Sequence, residues 1–268
     1  MPVDLLVVGG GRMGSALLAG LLAAGWAEPH RLGVVEIDPA RRDELIAAHP
    51  GVLVTGSPDA ATVDPAGGAV LAVKPDAAEG TCRALGAVGI TRVLSVVAGL
   101  PAARLEAVLP DGAVVLRAMP NMPALIGAGM TALSGGANAR SEDLDWAEGI
   151  AAAIGKVVRV PERQLNAVTG LSGSGPAYVF LIAEALIEAG VLAGMTRDLS
   201  RTLTVETLLG SAMLLASSGE APEALRAAVT SPGGTTAAGL RVLESRAVRS
   251  AILEAVLAAT ERARNLAR

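Results

Sequence analysis

Gly9-Gly10-Gly11-Arg12-Met13-Gly14 follows the apolar run Leu5–Val8 and opens a stretch of helical spacing, Ser15–Ala24. A Gly-x-Gly-x-x-Gly set between a strand and a helix suits a dinucleotide pyrophosphate. Gly9 makes the tight turn, Gly11 lets backbone amides approach the phosphates, and Gly14 lets the helix lie close to the strand. Arg12 and Met13 lie inside this loop, and the first helical amides add partial positive charge. The next strand ends in Glu36-Ile37-Asp38, where an acid accepts hydrogen bonds from adenosine ribose hydroxyls and repels a 2′-phosphate. Arg41 and Arg42 follow, and either suits a 2′-phosphate. NADPH and NADH therefore both stay open, with the acids leaning towards NADH. Ligands of open α/β sheets bind beyond the carboxyl ends of the strands, and three later strand ends add candidates there: Val73-Lys74-Pro75, Ala98-Gly99 and Asn121. Lys74 reads either as a cofactor contact or as a solvated surface lysine. Asn121, between Pro120 and Met122, either presents its amide to a nicotinamide carboxamide or a substrate, or closes a turn.

A second glycine-rich string, Ser231-Pro232-Gly233-Gly234-Thr235-Thr236, lies between helical stretches. A spare linker, a phosphate cradle and part of an active site are the readings to separate. Ser231 before Pro232 reads as an N-cap with proline at the first helical position. Gly233 and Gly234 leave the following N–H groups unshielded, and such a helix start receives a carboxylate without lysine or arginine. Ser172 to Tyr178 reads as a further glycine-rich helix start with Pro176 near its first position. It either borders a nicotinamide or allows close helix crossing.

The inventory narrows the chemistry. His30 and His49 are the only histidines, Lys74 and Lys156 the only lysines, and Cys82 the only cysteine. A His-based triad, a His/Cys metal cluster and an internal disulfide framework are not easily built from this set, and no metal is expected. Dehydrogenases that move a proton through His, through Tyr-x-x-x-Lys or through a second-domain Lys are set aside as well, because no lysine follows Lys156 and Ile182 stands four residues after Tyr178. What remains is a reduction whose substrate brings its own proton, as a cyclic imine does. A net charge of −4 and only four Phe, Tyr and Trp residues argue against nucleic acid as a partner. The longest apolar stretches are interrupted by Glu184, Glu188 and Gly190, so no membrane span is expected. The first strand begins too early for a cleavable signal, and the cytoplasm is the expected compartment.

These residues need elements to hold them. Short apolar runs at Leu5–Val8, Leu32–Ile37, Val52–Val54, Ala69–Val73, Val93–Val97 and Ala113–Ala118 alternate with helical spacing, which indicates a parallel sheet covered on both faces. Thr131–Ser134 and Lys156–Val160 add two more strands. From Gln164 onward strand signals vanish and five helices are expected: Pro176–Ala193, Arg197–Ser217, Pro222–Val229, Thr235–Ser245 and Val248–Leu266. The expected organisation is a Rossmann-type α/β domain over residues 1–162 and an all-helical domain over residues 163–268. Several of these helices are apolar around most of their circumference, so the second domain is expected to pack against a copy of itself.

Asn166 to Tyr178, which contains Ser-Gly-Ser-Gly-Pro-Ala-Tyr, and Val229 to Thr236 closely resemble the two signatures of the pyrroline-5-carboxylate reductase family. The glycine-rich start, Ala72–Pro75 and Arg117-Ala118-Met119-Pro120-Asn121 match the same family in order and spacing. The resemblance implies reduction of 1-pyrroline-5-carboxylate to L-proline by NADPH or NADH, the last step of proline synthesis. It also implies a homodimer interleaved through the helical domains, often assembled into a decamer, with the active site between the nucleotide domain and helices of the dimer. It gives Thr236 the place of the family's candidate donor to the ring nitrogen, and puts Ser231, Gly233, Gly234, Thr235 and Ser174 around the substrate. The chain departs from the family's common residues at Asn166, Gly170, Met122 and Ala221, none of which lies in the Ser231–Thr236 string. Another imine or ketone reductase of the same plan, and a non-catalytic nucleotide-binding regulator, are the rival readings.

Overall fold

The computed structural model describes residues 2–58 and 63–266. Its first half alternates strands and helices as the apolar runs dictate. In chain order these are β1 (Val3–Val8), α1 (Arg12–Ala23), β2 (Leu32–Val35), α2 (Pro39–Ala48), β3 (Leu53–Thr55), β4 (Val63–Leu71) and α3 (Pro75–Ala87). Then come β5 (Arg92–Ser95), α4 (Ala102–Glu106), β6 (Val114–Met119), β7 (Gly129–Gly135), α5 (Ser141–Ala152) and β8 (Gly155–Arg159). The strands make one sheet in the order β3-β2-β1-β4-β5-β6-β7-β8. Alternate side chains supply two cores, one on each face. Leu6, Val8, Leu71, Val93 and Val115 pack with Cys82 and Leu85 of α3 and Leu105 of α4. Leu5, Val7, Val70, Leu94 and Leu116 pack with Leu17, Leu18 and Leu21 of α1 and Ile150 of α5.

The sheet is parallel, as the alternating pattern indicates, except at one pair. β6 and β7 are antiparallel, with Arg117 opposite Ser134 and Met119 opposite Ala132. Only residues 120–128 join them, a 3-10 turn at Met122–Ile126 closed by Gly127 at φ 71°. A parallel crossover needs a dozen residues or more, so this short link forces the chain to turn straight back.

Beyond β8 the chain is helical, but it does not leave the sheet at once. A 3-10 turn at Glu162–Gln164, α6 (Leu165–Val168) and a π-turn at Thr169–Gly173 belong to the same compact unit as the strands, and Leu165 is buried there. The change in sequence pattern falls near residue 162, whereas compactness divides the chain after Ser174. The second unit runs from Gly175 to Val256, and residues from Leu257 onward group with the first. It contains α7 (Gly175–Leu192), α8 (Arg197–Ser218), α9 (Pro222–Ala228), α10 (Thr235–Ser245) and part of α11 (Val248–Leu266). α7 and α8 form a close hairpin in which Ser200 Oγ donates to the Ile187 carbonyl at 2.8 Å. A Cβ on Gly190 would collide with that same hydroxyl, so glycine permits the crossing. Across Gly175–Val256 the only buried residues are Ser200 and Thr204, both polar. The helices between Gly175 and Val256 therefore bury no hydrophobic side chain among themselves. By length and composition, the helical stretch Glu162–Leu192 also satisfies the requirements of a membrane-crossing helix.

Candidate active site

The glycine loop divides its labour by position. Gly9 sits at φ 104°, a conformation that side chains resist, and donates its N–H to the Val35 carbonyl at 2.8 Å. A Cβ there would stand 2.5 Å from the Ala72 carbonyl oxygen of the neighbouring strand. A Cβ on Gly14 would overlap the Gly9 carbonyl oxygen. Gly11 differs: it is the N-cap of α1, makes no side-chain cap bond, and a Cβ on it would meet nothing within 4 Å. The bare edge of Gly11 thus faces open space at an uncapped helix start, which is the cradle a pyrophosphate requires. Ser15 Oγ donates to the Gly10 carbonyl (2.9 Å), and Arg41 donates to that carbonyl (Nε, 3.0 Å) and to Ser15 Oγ (Nη2, 2.8 Å). Arg41 is therefore a clasp on the loop.

Glu36 begins just past β2. Its Oε2 accepts from Gly10 N–H at 2.8 Å and its Oε1 from Asp38 N–H at 3.0 Å, so two backbone amides hold the carboxylate in place. Asp38 turns to another task and caps α2 by accepting from Ala40 N–H at 3.0 Å. Arg42 spans the carbonyls of Glu36 (2.9 Å) and Ile37 (3.0 Å), and its guanidinium lies beside Gly56.

Around these groups opens a cleft of about 700 Å³ at the carboxyl ends of β1, β2 and β4. Gly9, Gly11, Glu36, Val73 and Lys74 line it, as does Ile37, which is 84% exposed. The strand order reverses direction at this place, with β2 on one side of β1 and β4 on the other. Gly56-Ser57-Pro58 and a small-residue edge of α3 (Ala77, Gly80, Thr81, Ala84) complete the walls. Sequence reasoning passed over both, although a turn after the third strand and a helix face without large side chains were visible signals. Pro75 opens α3 just behind Lys74, and Arg12 is exposed in the first turn of α1. Met13 packs against the core beneath the loop. Ala98 and Gly99 form the turn after β5, with Gly99 at φ 75°.

Asn121 is engaged at both ends by the protein. Its Oδ1 accepts from Met130 N–H at 2.8 Å, and its Nδ2 donates to the carbonyl and hydroxyl of Ser172, each at 3.3 Å. Within the Ser172–Tyr178 string α7 begins at Gly175, with Pro176 second. The π-turn Thr169–Gly173 precedes it, and Ser174 N–H donates to the Thr169 carbonyl at 2.8 Å. Single π-turns inside helices recur at functional positions.

In the second unit, the string around Ser231 folds as a turn and then a helix. Gly234 N–H donates to the Ser231 carbonyl at 3.0 Å, with Pro232 second and Gly233 at φ 69° third, the pattern of a type II turn. The N-cap of α10 is therefore Gly234 rather than Ser231, and Thr235 and Thr236 are its first two helical residues. A Cβ on Gly234 would run into Ser231 Oγ. No side chain caps α10, which leaves its first amides available. Thr236 is half-buried there, while Ser231, Gly233 and Thr235 are exposed. Among the described residues no group of three His, Cys, Asp or Glu side chains is placed to hold a metal ion.

Two family descriptions match the chain: "Pyrroline-5-carboxylate reductase dimerisation" over residues 162–266 and "NADP oxidoreductase coenzyme F420-dependent" over residues 4–99. A pyrroline-5-carboxylate reductase from Synechocystis is 43% identical, with 99% of each chain covered. The solved pyrroline-5-carboxylate reductase of Coxiella burnetii superposes with a TM-score of 0.90 at 34% identity and full coverage of both chains. The Plasmodium falciparum pyrroline carboxylate reductase, solved with NADP bound, gives 0.87 at 29% identity over 99% of this chain and 98% of that one. Likeness of this depth runs through the nucleotide half and the helical half alike, and the chain belongs to the pyrroline-5-carboxylate reductase family of NAD(P)H-dependent oxidoreductases.

Proposed function

We propose that the chain reduces the C=N bond of 1-pyrroline-5-carboxylate to L-proline, with Gly9–Gly14 receiving NADPH or NADH and the start of α10 receiving the substrate. When bound, the reduced nicotinamide supplies a hydride. The substrate's imine nitrogen carries the proton, so the new C–H bond forms as the C=N π pair moves onto nitrogen. No histidine or lysine is needed for that transfer. The unshielded amides at Thr235 and Thr236 take the substrate carboxylate, with Ser231, Gly233 and Gly234 shaping the approach and Ser174 near the substrate. The Thr236 hydroxyl hydrogen-bonds the ring nitrogen as the hydride arrives and a lone pair develops there, and so orients the ring. The uncapped start of α10, where glycine replaces the usual capping side chain, is the observation that carries this reading.

At the cofactor, Arg12, Met13, Gly14, Val73, Lys74, Pro75, Ala98, Gly99 and Asn121 form the loop and rim. Glu36 offers its carboxylate to the ribose, Asp38 and Arg41 hold the segments beside it, and Arg42 stands where a 2′-phosphate is tolerated. Residues 1–162 and 163–268 act as the nucleotide and the substrate-and-assembly halves. The helical half forms a homodimer, open to further assembly into a decamer, and a second copy rather than lipid covers α7. The enzyme works in the cytoplasm without nucleic acid or membrane partners.

Purified protein should oxidise NADPH or NADH only when 1-pyrroline-5-carboxylate is present, with proline as product. No turnover with either dinucleotide sinks the proposal. Thr236→Ala should lower kcat by about 10- to 100-fold while dinucleotide affinity stays near that of the parent. An unchanged kcat removes Thr236 from its role.

A further inference from the structure

Arg117, Met119 and Asn121 alternate along β6 and its exit, so they share one face. Each is fastened to the segment between Glu162 and Gly173. Arg117 Nη1 donates to Glu162 Oε1 at 3.0 Å, and the same oxygen accepts from Ala102 N–H at 2.8 Å, at the start of α4. A Cβ on Gly173 would stand 2.7 Å from Met119 Cε, so the methionine tip lies against bare glycine backbone. Asn121 grips Ser172 through its amide. Two of these ties join the end of β6 to the π-turn, and the third joins Arg117 to the Glu162–Gln164 turn, where Glu162 adds the β5–α4 connection that carries Ala98 and Gly99.

The Arg117 side chain is only 10% exposed, and its Nε has no hydrogen-bond partner among the described residues. An ion pair of a buried arginine with a half-exposed glutamate, leaving one donor unmatched, is a poor device for stability. We propose that Arg117 and Glu162 are positioning residues for hydride transfer: they fix the Ala98–Gly99 connection and the end of β6 against the Glu162–Gln164 turn, and the Met119 and Asn121 contacts to the Thr169–Gly173 turn complete one rigid edge. This rests on the reading that Ala98, Gly99 and Asn121 border the nicotinamide. Rigid support of that edge matters because small errors in the donor–acceptor distance slow a transfer steeply.

Two variants press on the seam at different points. Glu162→Gln keeps the shape and an acceptor oxygen but removes the charge that faces Arg117. Gly173→Ala pushes only on the flexible end of Met119, so the variant is expected to fold. Single-turnover reduction of 1-pyrroline-5-carboxylate should slow roughly tenfold in each. The isotope effect with NADPH deuterated at the transferred position should rise, and NADPH affinity, measured by fluorescence titration, should stay within about twofold of the parent because Gly9–Gly14 is untouched. If the thermal midpoints fall while rate and isotope effect stay at parental values, the pair is merely structural and the proposal is overturned. If Glu162→Gln fails to fold, Gly173→Ala decides by the same criteria. A parent protein inactive on this substrate overturns the functional reading first, and is distinguished from unmoved variants of an active parent.

Discussion

A methyl group on Gly14 would overlap the Gly9 carbonyl oxygen, whereas one on Gly11 would project into open space. The two glycines therefore fail in different ways when replaced. Gly14→Ala should destabilise the fold by about 1–3 kcal/mol, read as a lower thermal midpoint, because backbone cannot yield as a flexible side chain does. Gly11→Ala, at an ordinary extended backbone geometry, should leave the midpoint near that of the parent and raise the dissociation constant for NADPH or NADH at least tenfold. Equal thermal loss in both would contradict the division of labour. The Gly-x-Gly-x-x-Gly spacing announced these positions, but it did not separate Arg41 from Arg42. Hydrogen bonds do: Arg41 is tied to Gly10 and Ser15, and Arg42 to the carbonyls of Glu36 and Ile37.

Single elements carry the next level of constraint. α3 runs from the cleft edge into one core, where its Cys82 is fully buried. Burial, with the nearby Glu79 charge adding to it, pushes the thiol up to about 11. A thiol whose folded value lies above its unfolded one favours the protonated form, so stability falls as pH rises from about 9 to about 11. Relative to Cys82→Ala, the wild-type protein should lose on the order of 2 kcal/mol across that window, measured by chemical denaturation at each pH. A constant difference would contradict it. At about pH 8 the native thiol should resist alkylation and react only after unfolding. The eight strands and the five helices after Gln164 were legible because their apolar periods are strong. The π-turn at Thr169–Gly173 and the true N-cap of α10 were not, since both depend on where the neighbouring backbone lies.

On the scale of the whole molecule, the helices between Gly175 and Val256 bury no hydrophobic side chain of their own. Phe180 is 52% exposed and Leu209 54%, and Leu181, Met213 and Leu253 are more exposed still. Covering such side chains contributes about 1.5–3 kcal/mol each, so assembly and folding of this half are expected to be coupled. The match of residues 162–266 to the family's dimerisation domain accords with this. Purified protein at micromolar concentration should sediment as a dimer or larger, with a thermal midpoint that rises with concentration. Phe180→Asp combined with Leu209→Glu should shift it towards monomer and abolish that dependence. A parent protein that sediments as monomer would contradict the coupling.

The sequence by itself determined the glycine-rich strand-to-helix turn, the alternating strands and helices and the reductase family. Those follow from local spacing and from which residue types are present or missing, and both are one-dimensional facts. Only the tertiary structure decided that β7 runs antiparallel and that Asn121 grips Ser172. It also decided that Arg117 meets Glu162 across 45 residues, and that Gly234 opens α10. Each depends on the distance between segments far apart in the chain, or on a backbone angle set by packing, and neither is written in a run of neighbouring residues.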